Sequence, residues 1–164
     1  MEDLREYRPG GFFPIHIGDY LACGRYRVHN KLGSGNSAMI WLCYDREENT
    51  WVAVRILKGE LSVEDGSAYD RHKLFRSATR GVSKEEFERA HILVSRNVFW
   101  EGSPNGVHKC FVLPLLGPPI DDISQHLLEE FLPAVIKHRC YQFLQALDFL
   151  HERDLCLRSE YQGT

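Results

Sequence analysis

No stretch of the chain approaches the roughly 18 apolar residues that a membrane-spanning helix needs, so an integral membrane protein is not expected. No two of the five cysteines, Cys23, Cys43, Cys110, Cys140 and Cys156, stand at C-x-x-C spacing, and their number is odd. They read as reduced thiols of an intracellular protein rather than as a disulfide framework. The eight histidines lack zinc-ligand spacing, and no metal site is expected. Neither sign of charge dominates: 20 lysines and arginines face 23 aspartates and glutamates, which excludes a general binder of nucleic acid or membrane surface. Met1-Glu2-Asp3-Leu4-Arg5-Glu6 carries no basic patch and no apolar run follows it, so a secretory signal is not expected. Internal repeats and low-complexity tracts are absent as well. What remains is 164 residues with 43% hydrophobic and 26% charged side chains, enough for one ordinary soluble domain with a real core.

Residues 1–24 are rich in glycine, proline and aromatics and read as an extended, adherent segment. Residues 25–32 alternate, with Tyr26, Val28 and Leu32 on one face and Arg25, Arg27 and Lys31 on the other, which is a strand pattern. Residues 40–44 and 51–57 are short, β-branched or aromatic runs separated by the polar turn Asp45-Arg46-Glu47-Glu48-Asn49-Thr50. The three make an antiparallel meander. Residues 59–68 read as a loop, and 69–78 and 83–93 as helices, the second opened by a capping box of Ser83 and Glu86. Residues 97–101 and 107–113 form a hairpin around Ser103-Pro104-Asn105-Gly106. Gly117-Pro118-Pro119 breaks the chain, and Pro133 suits the first turn of a long helix ending near His151. Its apolar positions Ile136, Cys140, Phe143, Leu147 and Leu150 make one stripe.

The chemistry-bearing feature is Leu32-Gly33-Ser34-Gly35-Asn36-Ser37-Ala38-Met39-Ile40. Two glycines one residue apart between two strands let backbone amides approach a polyphosphate without side-chain clash. Alone, Gly33-x-Gly35 is a weak signal, and a plain tight turn is its better reading. The next strand, however, carries Val52-Ala53-Val54-Arg55, close to the V-A-I-K strand of protein kinases. A glycine hairpin followed by a strand bearing a cation is the kinase arrangement, distinct from the strand-to-helix loop of other nucleotide enzymes.

Glu6-Tyr7-x-x-Gly10-Gly11-Phe12-x-Pro14-x-x-Ile17-Gly18-Asp19, Arg25-Tyr26, Lys31-Leu32-Gly33-x-Gly35 and Trp41-Leu42-x-x-Asp45 resemble the opening of the SR-protein kinases, serine/threonine kinases of arginine-serine-rich splicing factors. Asn105-Gly106-x-His108-x-Cys110-x-Val112 and Leu116-Gly117 resemble their fifth strand and hinge, and the resemblance runs to about Cys156. It implies an α+β fold: a kinase small lobe with a five-stranded antiparallel sheet plus helix, then a hinge and the first helices of an incomplete large lobe. The implied organisation is an N-terminal segment over 1–24, a small lobe over 25–116, hinge and large-lobe start over 117–156, and a divergent tail over 157–164. An intracellular place, cytoplasm and/or nucleus, follows, with ATP as cofactor and arginine-serine-rich proteins as substrates of a complete form; neither nucleic acid nor membrane is an expected partner.

The resemblance further implies that the loop from Leu32 through Gly33, Ser34, Gly35, Asn36, Ser37 and Ala38 to Ile40 covers the ATP phosphates, with Ala38 replacing the third glycine. Arg55 stands where the family has its phosphate-binding lysine; it keeps the charge, but its planar fork differs from an ammonium. Lys58, three residues on, would point to the other face and is a poor substitute. Asp70 is a candidate for the helix acid, and a small frame shift puts Ala68 there instead. Adenine would pair with the backbone near Pro114 and Leu116, with Leu113 behind the base and Leu32, Ile40 and Ala53 as apolar walls; plain core packing is the competing reading of each.

Catalytic and magnesium motifs are not expected within these residues. Leu150-His151 fills the role of the Leu-His pair closing the long helix, so Asp154 reads as a solvated helix-end charge. The catalytic triplet would fall at Leu157-Arg158-Ser159 and the asparagine at Thr164, where only the arginine matches. The expectation is a chain truncated before the catalytic loop and inactive alone, with the helix stripe lacking its partner lobe. Two alternatives stay open: a non-catalytic, pseudokinase-like nucleotide-binding or protein-docking module, and a product that does not fold.

Overall fold

The computed structural model describes residues 3–62, 74–117 and 132–156. Ala68, Asp70, Leu157, Arg158, Ser159 and Thr164 lie outside them. Two compact units result, one of Met1–Arg71 with Val94–Leu116, the other of His72–Leu93 with Gly117–Thr164.

The first unit is an antiparallel sheet of six strands in the order β1-β2-β3-β4-β6-β5, formed by β1 (Tyr20–Leu21), β2 (Tyr26–Ser34), β3 (Ala38–Asp45), β4 (Thr50–Leu57), β5 (Asn97–Ser103) and β6 (Gly106–Pro114). Period-two alternation decides which way each strand faces. In β4, Val52, Val54 and Ile56 are buried on one face, joined by Met39, Trp41 and Cys43 of β3 and Cys110 and Val112 of β6. That face is closed by the N-terminal segment, whose Phe12, Phe13, Ile15 and Leu21 belong to the same core.

The sheet thus has one strand more than the five expected. The addition is β1, with Leu21 paired to Tyr26. Its reversal into β2 uses three consecutive residues of positive φ, Ala22 at 51°, Cys23 at 54° and Gly24 at 93°. Alanine and cysteine seldom adopt this conformation, so no turn signal marks it in the sequence. The Glu101 carboxylate holds the strained turn by accepting the Ala22 N–H at 2.8 Å.

A buried carboxylate organises the β3–β4 turn. Asp45 accepts Arg25 Nε at 3.0 Å and Nη2 at 2.8 Å, and also the backbone N–H groups of Glu47 and Glu48. Burial raises its pKa, but the Arg25 bonds and the two amides outweigh this and hold it below its ordinary 3.8. Asp45→Ala is expected to destabilise the sheet by about 2 kcal/mol at neutral pH, since it strands a half-buried guanidinium and two turn amides. Because the folded pKa is depressed, the contribution is complete above 3.8 and is lost as pH falls through the folded value. Urea midpoints of wild type and variant should therefore converge in acid.

The second unit is helical. Residues 74–78 are helical, α1 spans Lys84–Arg89 and α2 spans Leu132–His151. The capping box at Ser83 and Glu86 is present as expected. The helix stops at Arg89, short of the expected residue 93, because His91 takes φ 55° and Ile92 N–H returns to the Phe87 carbonyl. Phe87 packs on Phe75 and Phe149, with ring centroids 6.0 and 5.6 Å away. On α2, Ile136 is 52% and Phe143 57% exposed, while Leu147 and Leu150 of the same stripe are half-buried. Asp154 sits exposed in the turn after α2.

Candidate nucleotide site

The sheet face opposite the core carries the candidate residues. Cross-strand partners share a face, and the register places Leu42, Ala53 and Leu113 in one row and Ile40, Arg55 and Phe111 in the next. Ala53 is buried, Ile40 and Leu113 are half-buried, and Arg55 is exposed. Small Ala53 between two larger aliphatic residues leaves a shallow apolar strip with a cation at one end. Pro114 closes β6 opposite Val52, and residues 115–117, with Leu116 exposed, continue without regular structure.

The glycine loop is the tip of the β2–β3 hairpin. Gly33 pairs with Ile40 and Ser34 with Met39, leaving residues 35–37 as the reversal. Gly35 N–H closes it by donating to the Ala38 carbonyl at 2.9 Å. Among the described residues, the amides of Asn36 and Ser37 have no protein acceptor. A Cβ added at Gly33 or Gly35 would meet nothing within 4 Å, and neither residue has positive φ. The fold itself therefore does not require glycine at either position. Ala38 is buried, so the loop's third small residue serves packing. Leu32 is the extra residue of a bulge between Lys31 and Gly33 and is 47% exposed. Bulges commonly re-aim side chains beside functional sites.

The two cations near the end of β4 have different fates. Arg55 makes no ion pair or hydrogen bond among the described residues. Lys58 is buried, with Nζ 2.6 Å from Glu6 Oε2 and 4.7 Å from the centre of the Phe12 ring. Its ammonium is committed to the N-terminal segment, so it does not replace the strand lysine. Sequence reasoning missed Lys109, which lies on the Arg55 face, buried, with Nζ 5.5 Å from both the Trp100 and Phe111 rings. Its alternation in β6 was the available signal.

A sheet of this order, with a glycine hairpin, an apolar strip and a strand cation, has the fold of a protein-kinase small lobe. A crystal structure of a kinase domain superposes with a TM-score of 0.61 over 85% of this chain and 38% of that one, at 20% identity. No protein-family model matches. Protein kinase dsk1 of Schizosaccharomyces pombe is 31% identical over 92% of this chain and 27% of its own length. Serine/threonine-protein kinase SKY1 of Saccharomyces cerevisiae is 32% identical over 93% of this chain and 21% of its own. Mouse SRSF protein kinase 3 is 33% identical over 93% and 27%. The chain is similar to these protein kinases over more than nine tenths of its own length, and it spans about a quarter of the length of the relatives it matches.

Proposed function

We propose that this chain is the ATP-binding lobe of a serine/threonine kinase of the SR-protein type. The observation that carries the reading is the glycine loop: two glycines that the fold does not need stand beside two tip amides that lack acceptors among the described residues. Polyphosphate explains both, since amides at such a tip are ready anion donors only where no side chain keeps the anion away. The Asn36 and Ser37 amides with Arg55 take the phosphates. Leu32, Ile40, Ala53 and Leu113 flank the adenine, and the backbone at Pro114 and Leu116 meets its edge, Pro114 as acceptor only. Bound ATP supplies the transferable γ-phosphoryl group. In a complete kinase the acceptor is a serine of an arginine-serine-rich protein, in the cytoplasm or nucleus. No helix among the described residues is long and apolar enough to cross a membrane.

The second reading, a nucleotide-binding or docking module without catalysis, is favoured by one observation: an arginine, Arg55, stands where the resemblance puts the family lysine. Among the described residues no group of three or more His, Cys, Asp and Glu side chains fits a metal ion. The 164 residues contain neither H-R-D nor D-F-G. Calorimetry on this polypeptide is expected to give saturable ATP binding, weakened about tenfold by Arg55→Ala through loss of a charge-assisted bond. No labelled phosphate should reach an arginine-serine peptide. Absence of binding at millimolar ATP overturns the nucleotide reading, and phosphate transfer that depends on Arg55 overturns the non-catalytic one.

A further inference from the structure

The N-terminal segment reaches the glycine loop through one turn. After β4 the chain enters a short 3-10 turn, Gly59–Leu61. Lys58 N–H, at its entry, donates to the Ser37 carbonyl at 3.0 Å. Ser37 is one of the two residues whose amide has no protein acceptor. The same Lys58 sends its ammonium the other way, to Glu6 at 2.6 Å and over the face of Phe12.

Further bonds fix this turn to the segment. Gly59 N–H donates to the Gly11 carbonyl at 3.0 Å, and Glu60 N–H to the Gly10 carbonyl at 2.7 Å. Arg8 lies between the carboxylates of Glu6 and Glu60, at 3.7 and 3.5 Å. The Tyr7 hydroxyl donates to Met39 Sδ at 3.2 Å, and Met39 is the register partner of Ser34. The reversal at Ser37 and the β3 leg at Met39 are thus tied, through the turn or directly, to residues 6–11. Among the described residues, one hydrogen bond closes the tip itself, from Gly35 N–H to the Ala38 carbonyl. A loop with open space around its glycines and one internal bond keeps no fixed aim unaided.

We propose that Glu6 and Lys58 are positioning residues for the glycine loop, acting through Ser37 to hold the tip amides over the sheet. Neither touches nucleotide. The inference rests on the nucleotide reading above in what the loop is aimed at, but the brace itself is a property of the free protein. A buried ammonium is costly to keep unless its partners satisfy it, and a methionine would fill the same space. A role in fixing the aim of the proposed anion-binding loop accounts for keeping the charge.

The test pairs amide hydrogen exchange with ATP titration on the whole polypeptide. Lys58→Met preserves the aliphatic volume against Phe12, and Glu6, with 30% of its side chain exposed, is free to hydrate. Exchange at the hydrogen-bonded amides that hold the tip, those of residues 35 and 58, should rise about tenfold and the ATP Kd should rise about tenfold, the worth of one charge-assisted bond. Exchange at Val54 and Val112 should stay as in wild type, and Lys58→Arg should restore the loop. Glu6→Ala is the second variant and should repeat the loop effect without emptying the core. A uniform rise in exchange with a lowered unfolding midpoint overturns the proposal in favour of plain stabilisation, as does unchanged exchange at the loop. Should the wild type bind no ATP, the nucleotide reading falls, and the exchange arm still decides the brace.

Discussion

Gly35→Val is expected to weaken ATP binding about a hundredfold, the loss of one to two charge-assisted bonds, while leaving the unfolding midpoint unchanged. The two halves of this result follow from the same geometry. In the free protein a Cβ at Gly35 meets no atom within 4 Å, and the residue does not occupy the left-handed region. The fold therefore tolerates the side chain. With phosphates drawn up to the neighbouring Asn36 and Ser37 amides, the branched side chain occupies the space that the anion needs. Gly11 is the opposite case: a Cβ there would collide with the Glu6 carbonyl, so its substitution should cost stability directly. Calorimetry and thermal melts on both variants separate the roles. A Gly35→Val protein that melts earlier, or that binds ATP as wild type does, contradicts the assignment of the loop.

Much of the sheet was legible because its strands obey one rule at a time. The 51–57 run is apolar and β-rich almost throughout, and Val52, Val54 and Ile56 form one buried face while Ala53 is buried on the other. The Ser83 capping box and the 103–106 turn were legible for the same reason: each is a local pattern with a local cause. What escaped notice depends on partners distant in sequence. The β2 register shifts at His29 and Leu32 leave little trace in composition. The reversal at Ala22 and Cys23 is paid for by Glu101, 79 residues away. Lys58 read correctly as lying off the Arg55 face, but its burial needs Glu6 and Phe12, which only the folded chain brings to it. At the candidate site, Gly33, Gly35, Ala53 and Arg55 stood out because kinase chemistry constrains their spacing. Lys109 did not, since a lysine in an edge hairpin is ordinarily solvated.

Phe12→Ala is expected to destabilise the sheet unit by ~3–5 kcal/mol, the usual range for emptying a buried aromatic site. Phe12 is 3% exposed, and it packs against Tyr7 with ring centroids 5.7 Å apart. Its other face lies 4.7 Å from the Lys58 ammonium, so the substitution leaves both a cavity and a charge without its aromatic partner. Small domains have about 5–15 kcal/mol in total, and this loss would leave many molecules unfolded at physiological temperature. Ile17→Ala, a few residues away and 67% exposed, should change stability by less than about 0.5 kcal/mol. Urea unfolding of the pair distinguishes an integral segment from a detachable one. If Phe12→Ala proves as mild as Ile17→Ala, the segment merely rests on the sheet. The packing argues otherwise: without Phe12, Phe13, Ile15 and Leu21, the inward faces of β2, β3, β4 and β6 would present Val28, Cys43, Val54 and Val112 to water. A sheet cannot stably leave such a face uncovered. The segment that braces the glycine loop is therefore also the layer that lets the sheet fold, which is why the exchange experiment turns on Lys58 and Glu6 at its edge and not on Phe12 at its centre.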